Sequence, residues 1–202
     1  LLFPFELIQA MPAVQTGVEE TAPLAPNGVE RGHALAYSPD GETLAVGISA
    51  GIILYDARPL ARRQFIETPN WARGLAFSPD GNLLAAGLFD HTIRVYEMPA
   101  GRLALTLVGH TGWVRQVAIT PDGSALVSVS DDDTLRVWNL ADGRQIDLLL
   151  EGLVEPRSFA LSPNGELLAV GMQDGSLSLF QFKGLKFLRR LTGHSDWVRC
   201  LA

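Results

Sequence analysis

Apolar runs and polar turns succeed one another as a single unit between Gly109 and Leu140, GHTGWVRQVAITPDGSALVSVSDDDTLRVWNL. An apolar run, Val117–Ile119, ends at Pro121-Asp122-Gly123. A second, Ala125–Val129, ends at the acidic turn Asp131–Asp133, and a third, Leu135–Trp138, closes the unit. Three β-rich runs separated by turn chemistry predict antiparallel strands in a meander. The Pro-Asp-Gly turn has a mechanism: proline presets φ, Asp hydrogen-bonds its own backbone, and Gly tolerates positive φ.

The unit repeats. Ser38-Pro39-Asp40-Gly41, Ser78-Pro79-Asp80-Gly81, Thr120-Pro121-Asp122-Gly123 and Ser162-Pro163-Asn164-Gly165 follow one another at steps of 40, 42 and 42 residues. After each turn comes an apolar run (Leu44–Gly47, Leu84–Gly87, Leu126–Val129, Leu168–Gly171), then a strand ending in an aromatic: Tyr55, Tyr96, Trp138 or Phe180. The distance from turn residue to aromatic is 18 in three units and 17 in the first, which has lost one residue from its second turn. A period near 40 with about four strands per unit predicts an all-β chain, a β-propeller of four-stranded antiparallel blades.

With its Gly-His opening, Pro-Asp-Gly turn and closing Trp, the chain resembles the WD-repeat (WD40) family of β-propellers over roughly Arg31–Ala202. The resemblance implies an incomplete propeller and a structural tetrad in each blade: a His, a Ser or Thr on the second strand, an Asp in the next turn, and a Trp on the third strand. The third unit matches with His110, Ser130, Asp132 and Trp138. Buried together, these groups can satisfy one another's hydrogen bonds. The other units depart from the pattern. The second keeps Asp90 but has Thr68, Leu88 and Tyr96; the fourth keeps Asp174 but has Gly152, Met172 and Phe180. His33 does not substitute, because it stands five residues before its turn Ser, whereas His110 stands ten before Thr120.

The units divide the chain into an N-terminal extension, linker or edge strand over 1–30 and repeats over 31–202. Blades are expected near 31–68, 69–108, 109–151 and 152–192, with the start of another at 193–202. Residues 1–30 have no clear period, although Phe3–Ile8 could add an edge strand. The last ten residues match Gly109–Ala118 almost position for position, so further blades of the same chain are expected as partners of this segment.

Composition narrows the function. Apolar content of 47% and charged content of 19% make the chain globular. A net charge of −6 argues against a general nucleic-acid binder. No apolar run reaches the roughly 18 residues of a membrane-spanning helix. No signal-peptide pattern is visible, and the cytoplasm is favoured. The single cysteine, Cys200, excludes an internal disulfide and reads as a small core residue.

No catalytic motif, cofactor fingerprint or metal-ligand spacing is present, so the chain reads as no enzyme, with no cofactor and no metal. One pattern does recur. Five residues before each turn residue stand His33, Arg73, Arg115 and Arg157, with Arg199 at the next step. Seven before stand Arg31, Trp71, Trp113 and Glu155, with Trp197 at the next step. Trp-x-Arg thus opens the innermost strand of several blades, and residues two apart lie on one side of a strand. In the family this end faces partners near the central channel. The expected function is a non-catalytic scaffold for protein–protein interaction, with His33, Trp71, Arg73, Trp113, Arg115, Arg157, Trp197 and Arg199 meeting a protein or peptide partner of acidic character. The same pattern also suits a structural role, each Arg pairing with an Asp of its own or a neighbouring blade and each Trp covering a junction. A sensor module of a larger protein, kinase-linked for example, and a propeller enzyme with its site on other blades are the alternatives.

Overall fold

A computed structural model of the chain describes residues 32–149 and 155–201. The expected extension 1–30, the strand at Phe3–Ile8, Arg31, Glu151 and Gly152 lie outside the described residues. Every regular element among those described is a β-strand, and the sixteen strands form four separate four-stranded antiparallel sheets. Blade 1 holds β1 (Ala34–Tyr37), β2 (Thr43–Gly47), β3 (Gly51–Ala57) and β4 (Leu60–Glu67). Blade 2 holds β5 (Ala72–Phe77), β6 (Leu83–Leu88), β7 (Ile93–Glu97) and β8 (Arg102–Leu107). Blade 3 holds β9 (Val114–Ile119), β10 (Ala125–Ser130), β11 (Leu135–Asn139) and β12 (Gln145–Leu149). Blade 4 holds β13 (Pro156–Leu161), β14 (Leu167–Met172), β15 (Leu177–Gln181) and β16 (Lys186–Leu191). Each blade is a plain meander, and the first strands β1, β5, β9 and β13 pack side by side as the innermost row.

The first hairpin of every blade is built by its Ser/Thr-Pro-Asp-Gly sequence. The Ser or Thr hydroxyl donates to the Asp or Asn side chain two residues on, at 2.5 Å in Ser38 and Ser78 and 2.6 Å in Thr120 and Ser162. The same Oγ accepts the N–H of residue 43, 83, 125 or 167 at 2.8–3.0 Å, where the second strand begins. The Gly adopts the left-handed conformation (φ 72° at Gly123), where a Cβ would strain the backbone. The hydroxyl bond holds the Asp40, Asp80 and Asp122 carboxyls below their ordinary range.

The core is three apolar layers, one between each pair of adjacent blades. Between blades 1 and 2 lie Ile52, Leu54, Leu84, Ala86, Leu88 and Tyr96. Between blades 2 and 3 lie Ala85, Val95, Leu107, Val114, Leu126 and Trp138. Between blades 3 and 4 lie Val127, Val129, Val137, Phe159, Val170 and Phe180. Alternate residues of one strand therefore serve two different layers: Leu84 and Ala86 face back to blade 1, while Ala85 faces on to blade 3. A strand covered on both faces is buried at every position, as β10 is, so its residues are apolar apart from Ser128 and Ser130, whose hydroxyls are hydrogen-bonded. Where no neighbour among the described residues covers a face, side chains stand open, as Leu35 and Tyr37 of β1 do at 62% and 63% exposure.

Glycine sets the distance between blades. A Cβ on Gly87 of β6 would come within 2.6 Å of Val114 Cγ1, where β9 begins. Gly47 meets the Ala72 carbonyl in the same way, and Gly171 meets Val198. Beyond β16 the chain forms no further strand among the described residues, yet Val198 is docked as Val114 is. Its N–H donates to the Met172 carbonyl at 3.0 Å, and its own carbonyl accepts the Ser158 hydroxyl at 2.9 Å.

Candidate functional site

Two polar constellations stand out, one inside blade 3 and one on the face where the innermost strands begin. Inside blade 3, the Trp138 indole N–H donates to Ser128 Oγ at 2.8 Å, and Ser128 Oγ lies 2.8 Å from His110 Nε2. His110 Nδ1 lies 2.9 Å from Asp132 Oδ2. With the imidazole proton on Nδ1 the donors run in one direction, from indole to hydroxyl to imidazole to carboxylate. Thr134 joins the group, donating to Asp132 Oδ1 at 2.7 Å. Burial alone would raise the Asp132 carboxyl, but bonds from His110, Thr134 and the Thr111 N–H outweigh it and hold the carboxyl well below its usual range.

Ser130 is not the bridging hydroxyl, and the expectation for it is corrected. Trp138 pairs across the sheet with Leu126. Ser128 is two positions along β10 from Leu126 and within reach of the indole; Ser130 is four positions along, about 13 Å away at the strand rise, past an irregularity in the ladder. Ser130 Oγ instead accepts the Asp132 N–H at 3.2 Å. Both serines point to one side of β10, so the choice between them rested on strand register.

On the other face the expected residues fall into two halves. His33, Trp71, Phe89 and Trp113 form a continuous stack across blades 1 to 3, with successive ring centroids 4.7, 5.1 and 4.4 Å apart. Trp71 and Trp113 are 40% and 44% exposed, so the stack is an open shelf. Each backbone is tied into its blade: Phe89 N–H donates to the Trp71 carbonyl and Asp131 N–H to the Trp113 carbonyl. Towards blade 4 the face turns cationic. Arg115 Nε pairs with Asp131, and Arg157 reaches the same carboxylate at 3.2 Å. Arg157 also bonds Glu155 Oε2 at 2.5 Å and the Gln173 side chain. Trp197 meets two guanidinium groups, with Arg157 5.3 Å and Arg199 4.7 Å from its ring centroid.

Arg73, Arg115, Arg157, Arg199, His33 and Trp197 line one open cavity of about 450 Å³. The structural role therefore accounts for Arg115 and Arg157, while Arg73 and Arg199 make no ion pair among the described residues. Cys200 also lines this cavity and is exposed, which corrects its reading as a core residue: the segment beyond β16 forms no strand among the described residues, and Val198 is the side chain that docks. Phe89 and Asp131 were missed as members of this face. Comparing one position across units would have found them, since they stand at the same step after their turn residues. In the run Asp131–Asp133, Asp131 is shared by two arginines, Asp132 belongs to the buried network, and Asp133 is a turn residue at φ 61°. No group of three or more His, Cys, Asp or Glu among the described residues could hold a metal ion.

Four-stranded meanders set side by side around an inner row of first strands define a β-propeller. Residues 63–97 and 101–139 match the family model described as WD domain, G-beta repeat, which supports a WD-repeat family for the chain. No curated protein matches it. Each matched stretch joins the outer strand of one blade to three strands of the next (β4 with β5–β7, then β8 with β9–β11), so the sequence repeat is offset from the blade. WD40 domains bind protein partners as scaffolds and are typically non-catalytic.

Proposed function

We propose that this chain is a non-catalytic interaction scaffold that docks a protein or peptide on the face bearing Trp71, Trp113, Trp197 and the arginines of the inner strands. The observation that carries the reading is the half-exposed aromatic shelf running directly into a cavity lined by four arginines. Trp and Arg dominate binding hot spots, because each offers a large contact area together with a directed polar group. The strands beneath are hydrogen-bonded into four-stranded sheets and the rings are stacked on one another, so the face is pre-organised and less ordering entropy opposes docking.

The test is a displayed random peptide library selected on the chain, followed by calorimetry with the selected peptides. Replacing Trp71 and Trp113 together by Ala should weaken their binding by about 2 kcal/mol or more, with a thermal melt close to that of the parent. Selected peptides that bind the double variant unchanged would place the docking surface elsewhere.

A further inference from the structure

Blades 2, 3 and 4 each carry an arginine on the first strand and, eleven residues past the turn Ser or Thr, a residue set to meet it. The pairs are Arg73 with Phe89, Arg115 with Asp131, and Arg157 with Gln173. In blade 3 the carboxylate of Asp131 takes the Arg115 Nε, and in blade 4 Gln173 accepts from Arg157. Blade 2 breaks the series. Phe89 offers only its ring, with the Arg73 guanidinium carbon 5.5 Å from the centroid. Arg73 has no ion pair and no side-chain hydrogen bond among the described residues. It is partly buried in a cavity it shares with three other arginines. Burial and then Arg115 push its guanidinium below the ordinary value, and Asp131 only partly offsets them. A cation held among cations without its carboxylate is favourable ground for an incoming anion.

Resting on the reading of this face as the docking surface, we propose that Arg73 anchors a side-chain carboxylate of an acidic peptide. The carboxylate approaches Arg73 from the cavity and gives it the charge partner that Asp131 gives Arg115. The next apolar side chain of the peptide lies on the shelf of Trp71, Phe89 and Trp113, which touches Arg73 through the Phe89 ring. Charge complementarity selects the acid, and the shelf selects a peptide over a small free anion, which would leave the rings uncovered. Arg199, which lines the same cavity, supplies a second cation.

The probes are two short blocked peptides, one alternating Glu with Phe and its counterpart with Gln for Glu, titrated calorimetrically into the chain. Hydrogen bonds to charged groups predict that the Glu peptide binds about tenfold tighter or better. Arg73→Gln should erase that preference. Phe89→Asp should erase it too, by giving Arg73 an internal carboxylate, whereas Phe89→Leu removes the ring and keeps the preference. Equal binding of the two peptides overturns the carboxylate anchor and leaves the docking face standing, since the latter is judged by the tryptophan variants. Failure of both peptides to bind also overturns it. A preference that survives in both Arg73→Gln and Phe89→Asp moves the anchor to another residue. Inorganic pyrophosphate competing as well as the Glu peptide makes this a small-anion site and overturns the peptide assignment.

Discussion

At the residue scale, blade 3 stands apart because one hydroxyl satisfies two buried ring nitrogens. Ser128 is fully buried between Trp138 and His110, and neither ring has another route to water. Ser128→Ala therefore leaves two orphaned groups and should cost about 1–3 kcal/mol for each. Ser130→Ala gives up one ordinary bond to a backbone N–H and should cost about 1 kcal/mol. Urea melts of the two variants check the assignment directly, since equal losses would return the bridging role to Ser130. Asp132 adds a pH dependence. Its carboxyl is depressed in the folded chain, so it contributes stability that is full above the unfolded value near 3.8 and is lost as pH falls through the folded value. The stability gap between the parent and Asp132→Asn should be widest near about pH 7 and narrow steadily below about pH 4. A gap that widens in acid would contradict the depressed carboxyl. The residue types of this network were implied by the family resemblance. The choice of Ser128 over Ser130 was not, because it depends on which residue lies across from Trp138.

At the element scale, strand pairing and blade packing make different demands on glycine. The turn glycines need a backbone conformation: around Gly123 a Cβ would meet nothing within 4 Å, yet φ is 72°. The glycines at the ends of the second strands need space. Gly87→Ala should cost about 1–3 kcal/mol, the range for overpacking a close contact, because Val114 and its backbone carbonyl stand where the methyl would go. Combining it with Val114→Ala should cost less than the two changes add up to, since the second removes the atoms the first strikes. Full additivity in thermal melts would show that the two blades do not share this contact. The strands and their order were readable from the turn spacing. That the apolar runs are mostly continuous, and not alternating, makes sense only once the inner sheets are seen to be covered on both sides.

At the scale of the whole molecule, the candidate site belongs to no single blade. The shelf takes rings from blades 1 to 3, and the cationic cavity takes arginines from blades 2 to 4 and from the segment beyond them. Repetition at a step near 42 residues is enough to bring these side chains to one face, because every blade presents the same strand end in the same direction. The sequence by itself determined the repeat, the all-β class, the turn chemistry and the Trp-x-Arg series, all of which are local or periodic signals. The tertiary structure decided which arginines are neutralised. Asp131 lies close to its own blade's arginine and to the next blade's, 26 residues further along, and no spacing rule announces that shared carboxylate. It also decided that Phe89 bridges Trp71 and Trp113, since stacking across blades depends on how closely the glycine contacts let one sheet approach the next. Charge balance and ring contact are set by distances between blades, and those distances exist only once the layers have packed.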